Sequence, residues 1–145
     1  MKDLKCFDTN SITSIEQFIK LNLDITCSEN VKTEARIFNS FLKRLIDLGF
    51  CLVSASDGEE SHPIVNNERF RMLEVVFSVD ESSVTIVSND NELFLLSIVL
   101  GNGDATMIYN HSNLSEKLEQ VVFSQFAESV KTHSEELYQL NWSDY

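Results

Sequence analysis

Apolar residues in this chain recur first with a helical period and later with a period of two, and the change falls beyond Pro63. Ile15, Phe18 and Ile19 follow Thr13-Ser14-Ile15-Glu16, a capping box in which Thr13 accepts the amide three residues on and Glu16 reaches back. A short first helix over about 14–22 is predicted. Val31, Ala35, Phe38, Phe41, Leu42, Leu45 and Leu48 recur at three and four, with Ser28 as N-cap and Gly49 as the stop. This pattern predicts a longer helix over 29–48.

Phe50 to Ala55 reads as a strand, and Ser56 to Pro63 as an acidic loop in which Pro63 forbids regular continuation. Leu73, Val75, Phe77 and Val79 then alternate, which predicts a strand from Met72 to Val79. Asp80-Glu81-Ser82 makes a turn into a strand holding Val84 and Ile86 through Ser88, and Asn89-Asp90-Asn91 makes the next. Glu92 to Leu100 is apolar on both faces, as a central strand covered on both sides would be, and Gly101-Asn102-Gly103-Asp104 closes a hairpin onto Ala105 to Tyr109. Asn113-Leu114-Ser115-Glu116 repeats the capping arrangement, and Leu118, Val122, Phe126, Val130, His133 and Leu137 extend one amphipathic helix over 114–139. The order contains no βαβ alternation and no internal repeat. It predicts a single α+β domain, 1–145, with an antiparallel meander sheet of four to five strands packed against helices 29–48 and 114–139 and a short N-terminal helix.

Composition supports a packed core, since 43% of residues are hydrophobic, ten are Phe, four are Gly and one is Pro. Folding is expected to need no cofactor and no metal. Cys6, Cys27 and Cys51 form no C-x-x-C pair, and an odd number suits reduced thiols in a cytoplasm better than a disulfide framework. Lys2, Asp3, Lys5 and Asp8 interrupt the first apolar residues, so no cleaved signal is expected. Apolar runs fall far short of the roughly 20 residues of a membrane helix.

Charge changes the picture most. The net charge is −12 with a pI near 4.5. Residues 1–72 hold 11 acidic and 9 basic side chains, whereas residues 73–145 hold 12 acidic ones against Lys117 and Lys131 alone. Such a field repels nucleic acid and anionic membranes, and it steers basic partners toward the surface.

A search for catalytic chemistry finds no G-x-S-x-G elbow, phosphate-binding glycine loop, H-E-x-x-H or EF-hand loop. His62 beside Glu59 and Glu60 needs His111 close by to make a metal site, His133 reads as a hydrogen-bonded boundary histidine, and Cys51 as a buried, inert thiol. Asp57, Glu59 and Glu60 fall in a loop, Asp80 and Glu81 in a turn at the opposite sheet end from Asp90 and Glu92, and Glu116, Glu119 and Glu128 on the last helix. Carboxylates so dispersed suit an extended electrostatic footprint rather than a two-carboxylate active site. Tyr138 and Trp142 add aromatic anchors near the C-terminus, unless that segment packs on its own domain.

The sequence therefore leads to the expectation of a non-enzymatic acidic interaction protein that masks a basic surface on a partner. Immunity, antitoxin-like and phage anti-defence inhibitors have this character, nucleic-acid mimicry included. The expected contacts are Asp80, Glu81, Glu116, Glu119, Glu128, Tyr138 and Trp142, toward a basic protein or nucleic-acid-binding complex and without direct binding of nucleic acid or membrane. Two alternatives stand beside it. One is a secretion-type chaperone that captures an extended client segment as a homodimer. The other is a small enzyme whose site is assembled from His62, His111 and nearby carboxylates.

Overall fold

The computed structural model describes residues 12–23, 29–101, 106–112, 115–133 and 140–144, with the backbone alone for Asn30 and 140–144. Helix α1 (Ile15–Asn22) starts one residue later in its cap than the sequence suggests, because Ser14 and not Thr13 accepts from the Gln17 amide. Gln17 completes the box by accepting from the Thr13 amide at 2.9 Å. Glu16 is thereby released for Arg36, whose Nε and Nη2 donate to its two oxygens at 2.8 and 3.0 Å and tie α1 to the second helix.

Helix α2 (Glu29–Asp47) lies within the predicted span. Its predicted cap, Ser28, is outside the described residues. Gly49 ends it as expected: its φ is +95°, its N–H donates to the Ile46 carbonyl, and the Phe50 N–H reaches back to Leu45. Strand β1 (Cys51–Ser56) follows, then a turn and a three-residue strand β2 (Ser61–Pro63) where a loop was predicted. Pro63 is tolerated there because β2 is an edge strand. Where β2 stops short, the Asn67 side chain takes over the free edge of β1, accepting from the Leu52 amide at 2.8 Å. Asn67 and its neighbour Asn66 hold left-handed φ values of 53° and 56°.

The predicted strand over Met72–Val79 is instead helix α3 (Arg69–Val76). Alternation fits Leu73, Val75 and Phe77, but it turns Met72 and Val76 outward, and both are buried to within 2% of completely. A helical period accommodates all of them and leaves Arg71 and Glu74 paired on the outer side. The meander therefore has three strands, β3 (Glu81–Val87), β4 (Leu93–Val99) and β5 (Thr106–Asn110). Glu81 and Ser82 belong to β3 rather than to the turn before it.

Helix α4 (Glu116–His133) comes next, with Ser115 as its cap, accepting from the Leu118 amide at 3.3 Å. The predicted extension over 134–139 is outside the described residues, as are Asn113 and Leu114. Strand β6 (Leu140–Asp144) then pairs with β5 in parallel, Thr106 opposite Leu140 and Ile108 opposite Trp142. The sequence order predicts no βαβ alternation, yet β5-α4-β6 is a βαβ unit. Two adjacent strands running the same way need a long return path, and α4 supplies it.

The sheet order is β2-β1-β3-β4-β5-β6, antiparallel through β5, and the class is α+β. Leu52, Ala55, Val84, Ile86, Phe94, Leu96, Ile98 and Ile108 point to one face and join α1–α4 in one hydrophobic core. Aromatic pairs lock the helix layer: Phe18 with Phe70 at 6.1 Å, Phe38 with Phe77 at 5.8 Å, and Phe41 with Phe126 at 5.6 Å. On the other face β4 is not covered as predicted, since Leu93 and Leu95 are 62% and 37% exposed.

Candidate functional site

Register fixes where each charged loop falls. Cys51, Val87 and Leu93 mark one end of the sheet, and Ser56, Ser83, Glu81 and Val99 mark the other. Asp80 and Glu81 are exposed at the Ser56 end, beside the β1–β2 turn that carries Asp57, Glu59 and Glu60. The turn is rigid. Asp57 accepts at Oδ1 from the Glu59 and Glu60 amides, at 2.9 and 2.8 Å, and at Oδ2 it meets His62 Nε2 at 3.1 Å. These hydrogen bonds, chiefly that from the Glu60 amide, hold the Asp57 carboxyl down at about 2. Asp57 is thus consumed in shaping the turn, while Glu59 and Glu60 project from it, exposed.

Asp90 and Glu92 lie at the Cys51 end, opposite Asp80 and Glu81 as the sequence suggested. Here Ser88 Oγ accepts from the amides of both Asp90 and Glu92 at 3.1 Å, and Asn91 adopts φ 65°. Glu92 in turn reaches α4, its Oε1 accepting from the Ser115 amide at 3.3 Å and its Oε2 from the Ser115 hydroxyl at 3.2 Å. Between this turn, the end of α2 and the start of α4 is a cleft of about 240 Å³, floored by Leu48, Phe50, Leu118 and Val121 and rimmed by Asn89, Asp90, Glu92, Ser115 and Lys117.

Glu116 opens α4 and is exposed, Glu119 is half-buried, and Glu128 is exposed. Lys117 and Lys131 share the exposed side of α4 with Glu116 and Glu128, so that side carries little net charge. Trp142 lies on β6, and Tyr138 is outside the described residues. The contacts expected from sequence thus fall into separate groups: Asp80 and Glu81 at one sheet end, Glu116 and Glu119 near the other, and Glu128 along α4.

The described ion pairs join Lys32 to Glu29, Arg36 to Glu16, Lys43 to Asp47, His62 to Asp57 and Arg71 to Glu74. Glu81, Asp90, Glu92, Glu116 and Glu128 take part in none of them. Lys32, Arg36, Lys43 and Arg71 meet acidic partners on α1, α2 and α3 and so do not reach the strand ends, while Arg69 donates to Asn39 Oδ1 at 2.7 Å.

The histidines do not converge. His62 is on β2 at the Ser56 end and His111 follows β5 at the other, with β1, β3 and β4 between them, a lateral separation alone of about 19 Å. Among the described residues no group of three His, Cys, Asp or Glu is placed to hold a metal ion. His133 is half-buried, as a boundary histidine should be, and desolvation followed by the charge of Arg36 lowers its pKa. Cys51 is exposed, contrary to the buried thiol expected, because Leu52 takes the inward position beside it. Cys6 and Cys27 are outside the described residues.

Glu34 escaped the sequence reading. It is 4% exposed, hydrogen-bonded to Thr106, and desolvation raises its pKa to about 7. The Thr106 hydroxyl also accepts from the Gly101 amide at 2.9 Å, which directs its own proton to the carboxylate. A signal was available, since position 34 falls within the apolar stripe that Val31, Ala35 and Phe38 define.

No family model matches this chain, and neither a curated protein nor a solved structure is found similar to it. No described helix is long and apolar enough to cross a membrane.

Proposed function

We propose that this is a non-enzymatic, cytoplasmic interaction protein that binds and masks a basic surface on a partner protein, as an inhibitor of the immunity, antitoxin-like or anti-defence kind. The observation that carries the reading is the set of exposed carboxylates at the Ser56 end: Glu59, Glu60 and Glu81 have no ion-pair partner among the described residues, and Asp80 is exposed beside them. Adjacent strand ends crowd these groups onto one rim, where their fields add and steer a basic partner into contact. An exposed Cys51 suits a reducing compartment.

Two experiments test this reading. Capture from a bacterial lysate at low salt should retain basic proteins that high salt releases. Reversing Glu59, Glu60 and Glu81 to Lys should then slow association by roughly tenfold or more and flatten its salt dependence. Unchanged association of the triple variant sinks the proposal.

A second reading has its own support. Leu93 and Leu95 stand exposed on the sheet face away from the helices, with Val87, Val99, Met107 and Tyr109 half-buried along the same face. A secretion-type chaperone presents such a face to an extended client segment and works as a homodimer. Light scattering at micromolar concentration separates the two, a dimer favouring the chaperone and a monomer counting against it.

A further inference from the structure

We infer that the cleft at the Cys51 end seats one arginine side chain of the basic partner, an assignment that rests on the partner being basic. At about 240 Å³ the cleft falls below the roughly 300–1,000 Å³ of sites for drug-sized ligands, which suits a single long side chain. Its floor of Leu48, Leu118 and Val121 is apolar and its rim carries Asp90 and Glu92. That is the profile of an amphipathic cation: three methylenes cover apolar surface while a planar fork of five N–H donors meets carboxylates.

Glu92 is held in place before any ligand arrives. Each of its oxygens accepts one hydrogen bond from Ser115 and retains a second acceptor site. Asp90 is anchored through its amide to Ser88, and its carboxylate has no ion-pair partner among the described residues. Two features oppose a cation here, Lys117 on the rim and the positive end of α4. The helix end is already met by Glu92 and by Glu116 and Glu119 in its first turn. Among the described residues Lys117 has no ion-pair partner, and it is exposed, so no described contact ties it to the rim.

Amide chemical shifts of the full chain, titrated with N-acetyl-arginine amide, test the inference. Saturable shifts should concentrate at 89–92 and 115–121, weaken about tenfold with the uncharged citrulline analogue, and weaken several-fold with the lysine analogue. Asp90→Asn should weaken the arginine response about tenfold, and Lys117→Gln should strengthen it. Val121→Phe, which fills the floor, should abolish it; if that variant misfolds, the Asp90 and Lys117 variants carry the test.

Shifts scattered over all carboxylates, or an equal response to citrulline or lysine, overturn the assignment. Poly-L-lysine separates the two levels of failure. If it binds in a salt-dependent way while the arginine amide does not seat in the cleft, the cleft inference falls and the basic-partner reading stands. If neither binds, both fall.

Discussion

The apolar stripe of α2 is interrupted by a carboxyl group at position 34, buried to 4% exposure and hydrogen-bonded to the Thr106 hydroxyl. An unfolded chain releases this proton near 4.5, whereas the folded one releases it near 7, so between those values the native state holds the extra proton. Stability therefore falls as pH rises through this window, by roughly 3 kcal/mol, and levels off above it. Denaturant titrations from about pH 4.5 to 8 should show that decline in the parent and not in Glu34→Gln. Equal pH dependence in the two proteins would show that Glu34 does not titrate in the core. Asp57 is the opposite case. Its pKa of about 2 leaves it ionised throughout this window, and its stabilising contribution, full above the unfolded value of 3.8, is lost as pH falls from there through about 2.

Among elements, α3 and the end of α2 make the firmest claims. An alternating strand over 72–79 places Val76 in solvent, whereas the helix buries it against the core with 2% exposure. Val76→Asp should consequently destabilise the protein by roughly 3 kcal/mol or more, since a carboxylate there has no partner. A variant of near-parental thermal midpoint would restore the strand. At Gly49 the left-handed φ of 95° penalises any side chain, and a Cβ there would stand 3.3 Å from the Asn89 side chain, which would have to give by a few tenths of an ångström. Gly49→Ala should lower stability by at least about 1 kcal/mol in the same measurement, and it should loosen the contact between α2 and the 88–92 turn that forms one wall of the cleft.

At the scale of the whole molecule the net charge of −12 is the governing quantity. Self-repulsion of that size disfavours the compact state, and screening relieves it over a Debye length of about 10 Å at 0.1 M salt. The thermal midpoint should rise by several degrees as sodium chloride is raised from a few millimolar to a few hundred, while association with a basic partner weakens over the same range. Opposite salt responses of folding and binding distinguish steering carboxylates from merely solubilising ones. If binding does not respond to salt, the acidic rim at Glu59, Glu60 and Glu81 has no role in recognition.

Local pattern was enough for the existence and type of α1, α2, the strands around Leu52, Val84, Phe94 and Ile108, and the start of α4, because each is written in the spacing of its own apolar residues, though the cap of α1 and the start of the strand at 81–87 are not. The α+β class followed from their order. Other features depended on contacts distant in sequence. Phe70, Met72 and Val76 became one helical face only by packing on α1 and the sheet, overriding the low helix propensity of adjacent valines. Burial of Glu34 needed Thr106, the cleft needed Ser115 beside Glu92, and the parallel strand β6 needed α4 to bring the chain back. Charge totals are legible in a sequence, but pairing is not. Which carboxylates stay free was decided by the fold, since an ion pair forms only where two side chains reach each other across about 4 Å.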